Sequence, residues 1–188
     1  MKLTSLLFVP ALLAFAADAP LEIAPAQAQV TFTLGDVLHT VHGTFDLKRG
    51  KLLFDPTTGK ASGEIVVDAA SGRSGSAARD RRMHANILES QRYPEIVFRP
   101  DRVEGKVAHE GPSEAVLHGI FSIHGADHEV TVPLHVDAAA GHYTAKAHFV
   151  VPYVKWGMKN PSTFVLRVSD KVDIDVTVVA QPPAGTLD

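Results

Sequence analysis

The chain has no cysteine. That absence excludes disulfides, thiolate zinc sites, cysteine nucleophiles, haem attachment through C-x-x-C-H and a lipoprotein anchor. The fold must stand on its apolar core alone. Charge of either sign is in short supply as a block. The formal net charge is −3 over 188 residues, so no basic field points at nucleic acid. There is no G-x-S-x-G, no H-E-x-x-H and no internal repeat. Ser71-Gly72-Arg73-Ser74-Gly75-Ser76 is glycine-rich but lacks the lysine that follows a phosphate-binding loop, and it reads as a lead into a helix. These absences leave no expected cofactor and no resident metal.

Long apolar runs are also scarce. One stands out, Leu3 to Ala17, behind the positive Met1-Lys2. It is too short for a comfortable membrane span. Ala14-Phe15-Ala16 and Ala26-Gln27-Ala28 are both A-x-A cleavage patterns. Residues 1–28 are therefore expected to be a signal peptide and leader, residues 29–180 one domain, and residues 181–188, with two prolines and a glycine, a loose tail. Such an address implies export to the periplasm or the outside of a bacterium.

What is abundant is alternation. Val30, Phe32 and Leu34 alternate with threonines; Val130, Val132, Leu134 and Val136 alternate with polar residues and Pro133. The same period of two recurs around Leu52-Phe54, Ile65-Val67, Ile96-Phe98, Leu117-Ile123, Tyr143-Phe149 and Val172-Val178. About eight half-buried strands follow, and antiparallel sheets show this pattern where parallel ones do not. Pro133 is expected at a bulge or an unpaired edge, because it has no N–H to give. Ala77 to Leu88 breaks the period. It predicts one helix of about three turns, with Met83 and Ile87 on one stripe and Ser74 or Ser76 as cap. The fold class is all-β: a single antiparallel barrel of about eight strands with one covering helix.

A barrel of that size is either filled by side chains or holds one ligand. The expected inward positions carry Phe32, Phe45, Phe54, Phe98, Phe121, Phe149 and Phe164, with small residues Gly43, Gly119, Ala145 and Ala147 between them. Composition alone favours a solid core over a cavity. The ten histidines include the pairs His39/His42 and His124/His128, which read as turn and strand sequence and so as surface groups before metal ligands. Asp173 and Asp175 share a strand face toward solvent. Arg79, Arg81 and Arg82 form the densest basic cluster. It is either a solvated helix face or, at a barrel mouth, a bidentate holder of a phosphate or similar head group. The aromatic turn Val151 to Met158 holds the only tryptophan, Trp156, which could close one end or form a lip.

Several stretches together resemble the YceI-like polyisoprenoid-binding proteins. They are His42-Gly43-Thr44-Phe45, Arg79-Asp80, Tyr93-Pro94-Glu95-Ile96-Val97-Phe98, Leu117 to Gly125, Val130 to Leu134, Trp156-Gly157 and Val168 to Val172. Their order and spacing carry the resemblance, which runs from about Val30 to Ala180. It departs from the family at Leu34-Gly35-Asp36 and at Ala126-Asp127-His128. The resemblance implies an extended lipocalin-like barrel with a pore for a long isoprenoid or other amphiphile, and no catalytic residue. Burial of about 20 carbons at ~0.8 kcal/mol per CH₂ offers ~16 kcal/mol gross. Roughly 4–15 kcal/mol of lost freedom opposes it. The expected wall is Phe32, Phe45, Phe54, Phe98, Phe121 and Phe149; the expected mouth is Arg79, Arg82 and Trp156. Two alternatives remain at this point. One is a filled barrel without a ligand that acts in stress or through protein contacts; under any reading, exposed edge strands would favour a symmetric homodimer. The other is a lipid-modifying enzyme using His118 or His124 as base.

Overall fold

The computed structural model describes residues 19–35, 40–55, 58–164 and 167–181. The expected leader up to Asp18 and the tail beyond Gln181 lie outside the described residues. Ten strands form one sheet: β1 (Ala19–Ile23), β2 (Ala28–Gly35), β3 (Thr40–Phe45), β4 (Leu47–Phe54), β5 (Ala61–Asp68), β6 (Glu95–Gly105), β7 (Gly111–Ile123), β8 (Ala126–Ala139), β9 (His142–Val151) and β10 (Val172–Ala180). Their order is β1-β4-β5-β6-β7-β8-β9-β10-β2-β3, antiparallel throughout. The sheet curls into a lipocalin-like barrel, the architecture that the alternation predicts, with ten strands where about eight were expected.

The two additional strands explain how the curl is tied. β1 lies inside the segment expected to be leader, yet it pairs with β4 from Ala19↔Phe54 to Ile23↔Gly50, and Ile23 is only 2% exposed in the core. The folded domain therefore begins before residue 29. Its apolar pattern is only two residues long, Leu21 and Ile23, too short to read as a strand without its partner. Gln181, expected in the loose tail, exchanges backbone hydrogen bonds with Glu22 and so joins β1 to the end of β10. At the other seam a single residue, Asp46, separates β3 from β4. The Asp46 carbonyl accepts from the Asp68 N–H, its own N–H donates to Ser71 Oγ, and its carboxylate takes both Nη atoms of Arg73 at 2.7 and 2.8 Å. Arg73 and Thr44 also exchange backbone hydrogen bonds. Gly43 is required there: a Cβ would lie 2.6 Å from the Arg73 carbonyl and 2.2 Å from the Phe32 ring.

The predicted helix is present as α1 (Ala77–Arg82) running into a π-helical turn, Met83–Ile87. Ser76 occupies the N-cap without a side-chain bond; Ser74, further out, donates its N–H and hydroxyl to Asp80. Pro133 sits where its missing N–H costs least. β8 pairs with β9 only from Leu134 onward, so residues 126–133 have β7 alone as partner. On the outer face, Val66 and Val97 pair beneath Lys48, Arg49, Glu64 and Glu95, and Val66 has no exposed surface. Hydrogen bonds from Lys48 and Arg49 pull the Glu95 carboxyl down to about 2.

Two outcomes follow. Gly119 lies opposite the β6 bulge, and a Cβ there would meet the Arg99 carbonyl at 2.3 Å and Pro100 Cα at 2.8 Å. Gly119→Ala should lower stability by about 1–3 kcal/mol through overpacking against backbone, measured by urea unfolding. The folded pKa of Glu95 lies below its unfolded value. Its pairing thus contributes stability that is complete above pH 4.5 and lost as the pH falls toward 2. Glu95→Gln should remove that part of the acid limb of a Tm-against-pH profile.

Candidate functional site

The inner face is set by register. Phe98 pairs with Phe121, Phe121 with His128, Ile174 with both Phe149 and Phe32, and partners across an antiparallel ladder share a face. That face is not filled. It surrounds a cavity of about 620 Å³, within the ordinary range of small-molecule sites of about 300–1,000 Å³. Phe32, Phe45, Phe98, Phe121 and Phe149 line it, with Ala145 and Ala147 leaving space between them. Gly43 and Gly119 contribute no space, because the Phe32 ring and the β6 backbone already occupy their side-chain positions.

Polar groups meet the cavity only at one end. There Ser74, Ser76, Arg79 and Arg82 stand over the helical side, and Met158, Pro161 and Val168 come from the β9–β10 loop. Met83 and Ile87, the predicted stripe, turn inward and roof this end. Arg79 is held in place rather than solvated freely: Nε donates to Ser74 Oγ at 2.7 Å and Nη2 to the Ser74 carbonyl at 2.8 Å. The Ser74 hydroxyl in turn holds the Asp80 carboxyl below its usual range, helped by the charges of Arg79 and His84. Nη1 of Arg79 and the whole guanidinium of Arg82 have no partner among the described residues. The opposite end is packed shut by Ile23, Leu47, Val178 and Ala180, and by Ala61 with Leu117 and Val132.

Two of the expected inward aromatics and the expected mouth tryptophan lie elsewhere. Phe54 is the last residue of β4, opposite Ala61 at the packed end, and does not line the cavity. Phe164 is fully exposed in the β9–β10 loop. Trp156 is not at the mouth lining either; it sits where β8 and β9 part. Its indole stacks on His128, 4.0 Å between centroids and 5° between planes, and packs against Phe121 at 5.9 Å. It packs with Phe121 and Phe149 in the interior cluster at this end. Sequence reasoning missed this because the stacking partner is His128, one of the positions that depart from the family pattern. Of the other departure, Leu34-Gly35-Asp36, the first two residues end β2 and Asp36 lies outside the described residues.

The β9–β10 loop is anchored by Tyr153, whose hydroxyl donates to the Ser169 carbonyl at 2.6 Å and whose burial pushes the phenol up to about 12. Neither histidine of the enzymatic alternative reaches the cavity. His118 faces outward beside Glu104 at 3.2 Å, and His124 lies in the β7–β8 turn against Tyr93. Among the described residues no cluster of three or more His, Asp or Glu could hold a metal. No helix among them is long and apolar enough to cross a membrane.

The family model for the YceI-like domain matches residues 21–180. The chain belongs to the YceI-like family. Three crystal structures illustrate the shared fold. BcnA of Burkholderia cenocepacia is 18% identical, with a TM-score of 0.70 over 85% of this chain and 99% of that one. A polyisoprenoid binding domain from Saccharophagus degradans, implicated in plant cell wall breakdown, is 15% identical, with a TM-score of 0.67 over 88% and 99%. The Campylobacter jejuni YceI protein is 16% identical, with a TM-score of 0.63 over 77% and 86%. No curated protein matches the sequence.

The His128–Trp156 stack makes a prediction of its own. Burial holds the His128 imidazole below its usual 6.5, with Asp127 opposing, and its Nε2 is buried without a partner. The neutral ring is therefore favoured by folding; its contribution is complete above pH 6.5 and lost as the pH falls below it. Emission of the sole tryptophan should change on acidification below pH 6.5 in the wild type and stay flat in His128→Phe.

Proposed function

We propose that this YceI-like barrel binds a long apolar, isoprenoid-like amphiphile inside its cavity and carries or sequesters it, without chemical conversion, outside the cytoplasm of a bacterium. The observation that carries the reading is the cavity itself: an apolar tube of about 620 Å³, packed shut at one end, with hydrogen-bonding groups only at the other. Such a lining recognises a tail by shape and area, at ~25 cal/mol per Å² of apolar surface removed from water. The polyisoprenoid binding domain from Saccharophagus degradans, which has the same fold, supports the choice of ligand class.

At the mouth, the pinned guanidinium of Arg79 and the unpaired one of Arg82 receive an anionic or strongly polar head group. Arg79 offers Nη1 from a fixed position; Arg82, exposed, supplies charge on a longer tether. The apolar cavity counts against the filled-barrel alternative, since a void of this size lined by Phe and Val forfeits dispersion contacts unless something occupies it. Export rests on the apolar run at Leu3–Ala17. Cleavage after Ala16 keeps β1 in the sheet, whereas cleavage after Ala28 removes it together with buried Ile23.

Native mass spectrometry of protein purified from a bacterial host, with the released ligand identified, is the direct test. A stoichiometric apolar mass lost on organic extraction is expected. A bare polypeptide, unchanged after incubation with isoprenoid lipids, would refute the reading. Phe121→Asp should lose uptake at least about tenfold, since a carboxylate in the wall loses several kcal/mol of solvation. Thr131→Asp, on the outer face of β8, should take up lipid as the wild type does. Arg79→Met with Arg82→Met should weaken anionic amphiphiles more than neutral ones.

A further inference from the structure

The rim of the cavity carries features that ligand binding does not use. Phe164 is 101% exposed, and the one other large apolar side chain exposed among the described residues is Val150. Phe164 is not on a loosely drawn strand of loop. Asn160 Nδ2 donates to the Val168 carbonyl, and Ser162 Oγ accepts from the Val168 N–H at 2.8 Å. This clasp holds Pro161 and Val168 at the cavity and puts Phe164 on the turn beyond them. Exposed Lys159 and Arg167 flank it, and exposed Arg81 and Arg82 stand on α1 at the same end of the barrel.

In the β9–β10 loop, exposed Asp170 is outnumbered by exposed Lys155, Lys159, Arg167 and Lys171. Asp80, on the helix, is engaged by Ser74. At the packed end, exposed Asp101, Glu104, Glu110, Glu114 and Asp137 are interspersed with exposed Lys60, Arg102, Lys106 and Lys146. A molecule of net charge −3 thus carries a local basic excess around Phe164 and α1. Near an anionic surface it is repelled as a whole but attracted in one orientation, mouth first.

We propose that the mouth end docks on an anionic phospholipid bilayer, with Phe164 inserted at the interface and Lys159, Arg167 and the α1 arginines against the head groups. A lone aromatic or a few charges holds a protein only weakly at a bilayer; an apolar insertion plus a basic patch is the pairing that gives reversible attachment. Docked this way, the cavity opens toward the acyl chains and an amphiphile passes between bilayer and barrel without crossing water. That last step rests on the lipid-carrier reading; the docking does not.

The test is co-sedimentation with phosphatidylcholine vesicles, with and without phosphatidylglycerol, at low and high salt. Binding is expected to need phosphatidylglycerol and to weaken with salt. Phe164→Asp, and separately the pair Lys159→Glu with Arg167→Glu, should each weaken it by about tenfold or more; Phe164→Trp should preserve it. Equal binding by Phe164→Asp and wild type, or no dependence on phosphatidylglycerol, would overturn the proposal. So would a solution dimer that Phe164→Asp splits into monomers, with no effect on vesicles, since the occupant would then be a second copy of the chain. Uptake of lipid delivered from ethanol separates the two readings, because it bypasses the bilayer. Phe164→Asp should load from ethanol as the wild type does while losing uptake from vesicles. Vesicle binding without loading from either source would refute the carrier reading and leave the docking standing.

Discussion

The junction at Asp46 holds the curled sheet in shape. One residue separates β3, which extends the sheet beyond β2, from β4, which extends it in the other direction. The backbone there bends so that its two halves serve different neighbours. A bend of this kind exposes donors, acceptors and a strand edge, all of which cost free energy if left unpaired. Ser71, Asp68 and Arg73 satisfy them from the segment that leads into the helix. The same few hydrogen bonds tie the β3–β4 corner to the segment that leads into α1. The helix start in turn decides where Arg79, Arg82 and Met83 meet the cavity.

The cavity stays open because the residues that could fill it are engaged. The rings of Phe32 and Phe45 pack on each other at 5.4 Å across the β2–β3 ladder. Phe121 is held between Phe149 and Trp156. Ala145 and Ala147 on β9 are too short to reach the far wall. Close packing is the usual state of a protein interior, so a tube bounded by aromatics that support one another is the feature most in need of a function. Its polar groups gather at one end, beside α1. The family's fold is conserved at 15–18% identity to the solved relatives.

Most of the architecture was readable from period two. The eight expected strands all occur, because each buries one face over several residues and carries its own signal. The helix from Ala77 was readable for the same reason, although its last turn widened into a π-helix. β1 and β3 were not read as strands. Leu21 and Ile23 are too few to show a period, and Thr40–Phe45 carries Gly43 where a bulky residue would complete the alternation. Both are strands because of what lies beside them: Gly50 and Leu52 for β1, and Phe32 and Arg73 for β3.

The site shows the same division. Five of the six wall phenylalanines were identifiable, since alternation alone assigns a face. Phe54 shares that face and still misses the cavity, because alternation says which side a residue occupies but not how far along the barrel the empty space extends. Trp156 was recognisable as an aromatic near an end, but its stack on His128 joins residues 28 positions apart and exists only because β8 and β9 part before Pro133. Phe164 reads in the sequence like its inward-facing counterparts, yet it stands fully exposed in the β9–β10 loop. The sequence by itself thus determined fold class, strand faces and the apolar character of the interior, which follow from local period and composition. The tertiary structure alone decided whether that interior is full or hollow, where it opens, and which charges ring the opening, because volume and proximity belong to pairs of residues distant in the chain.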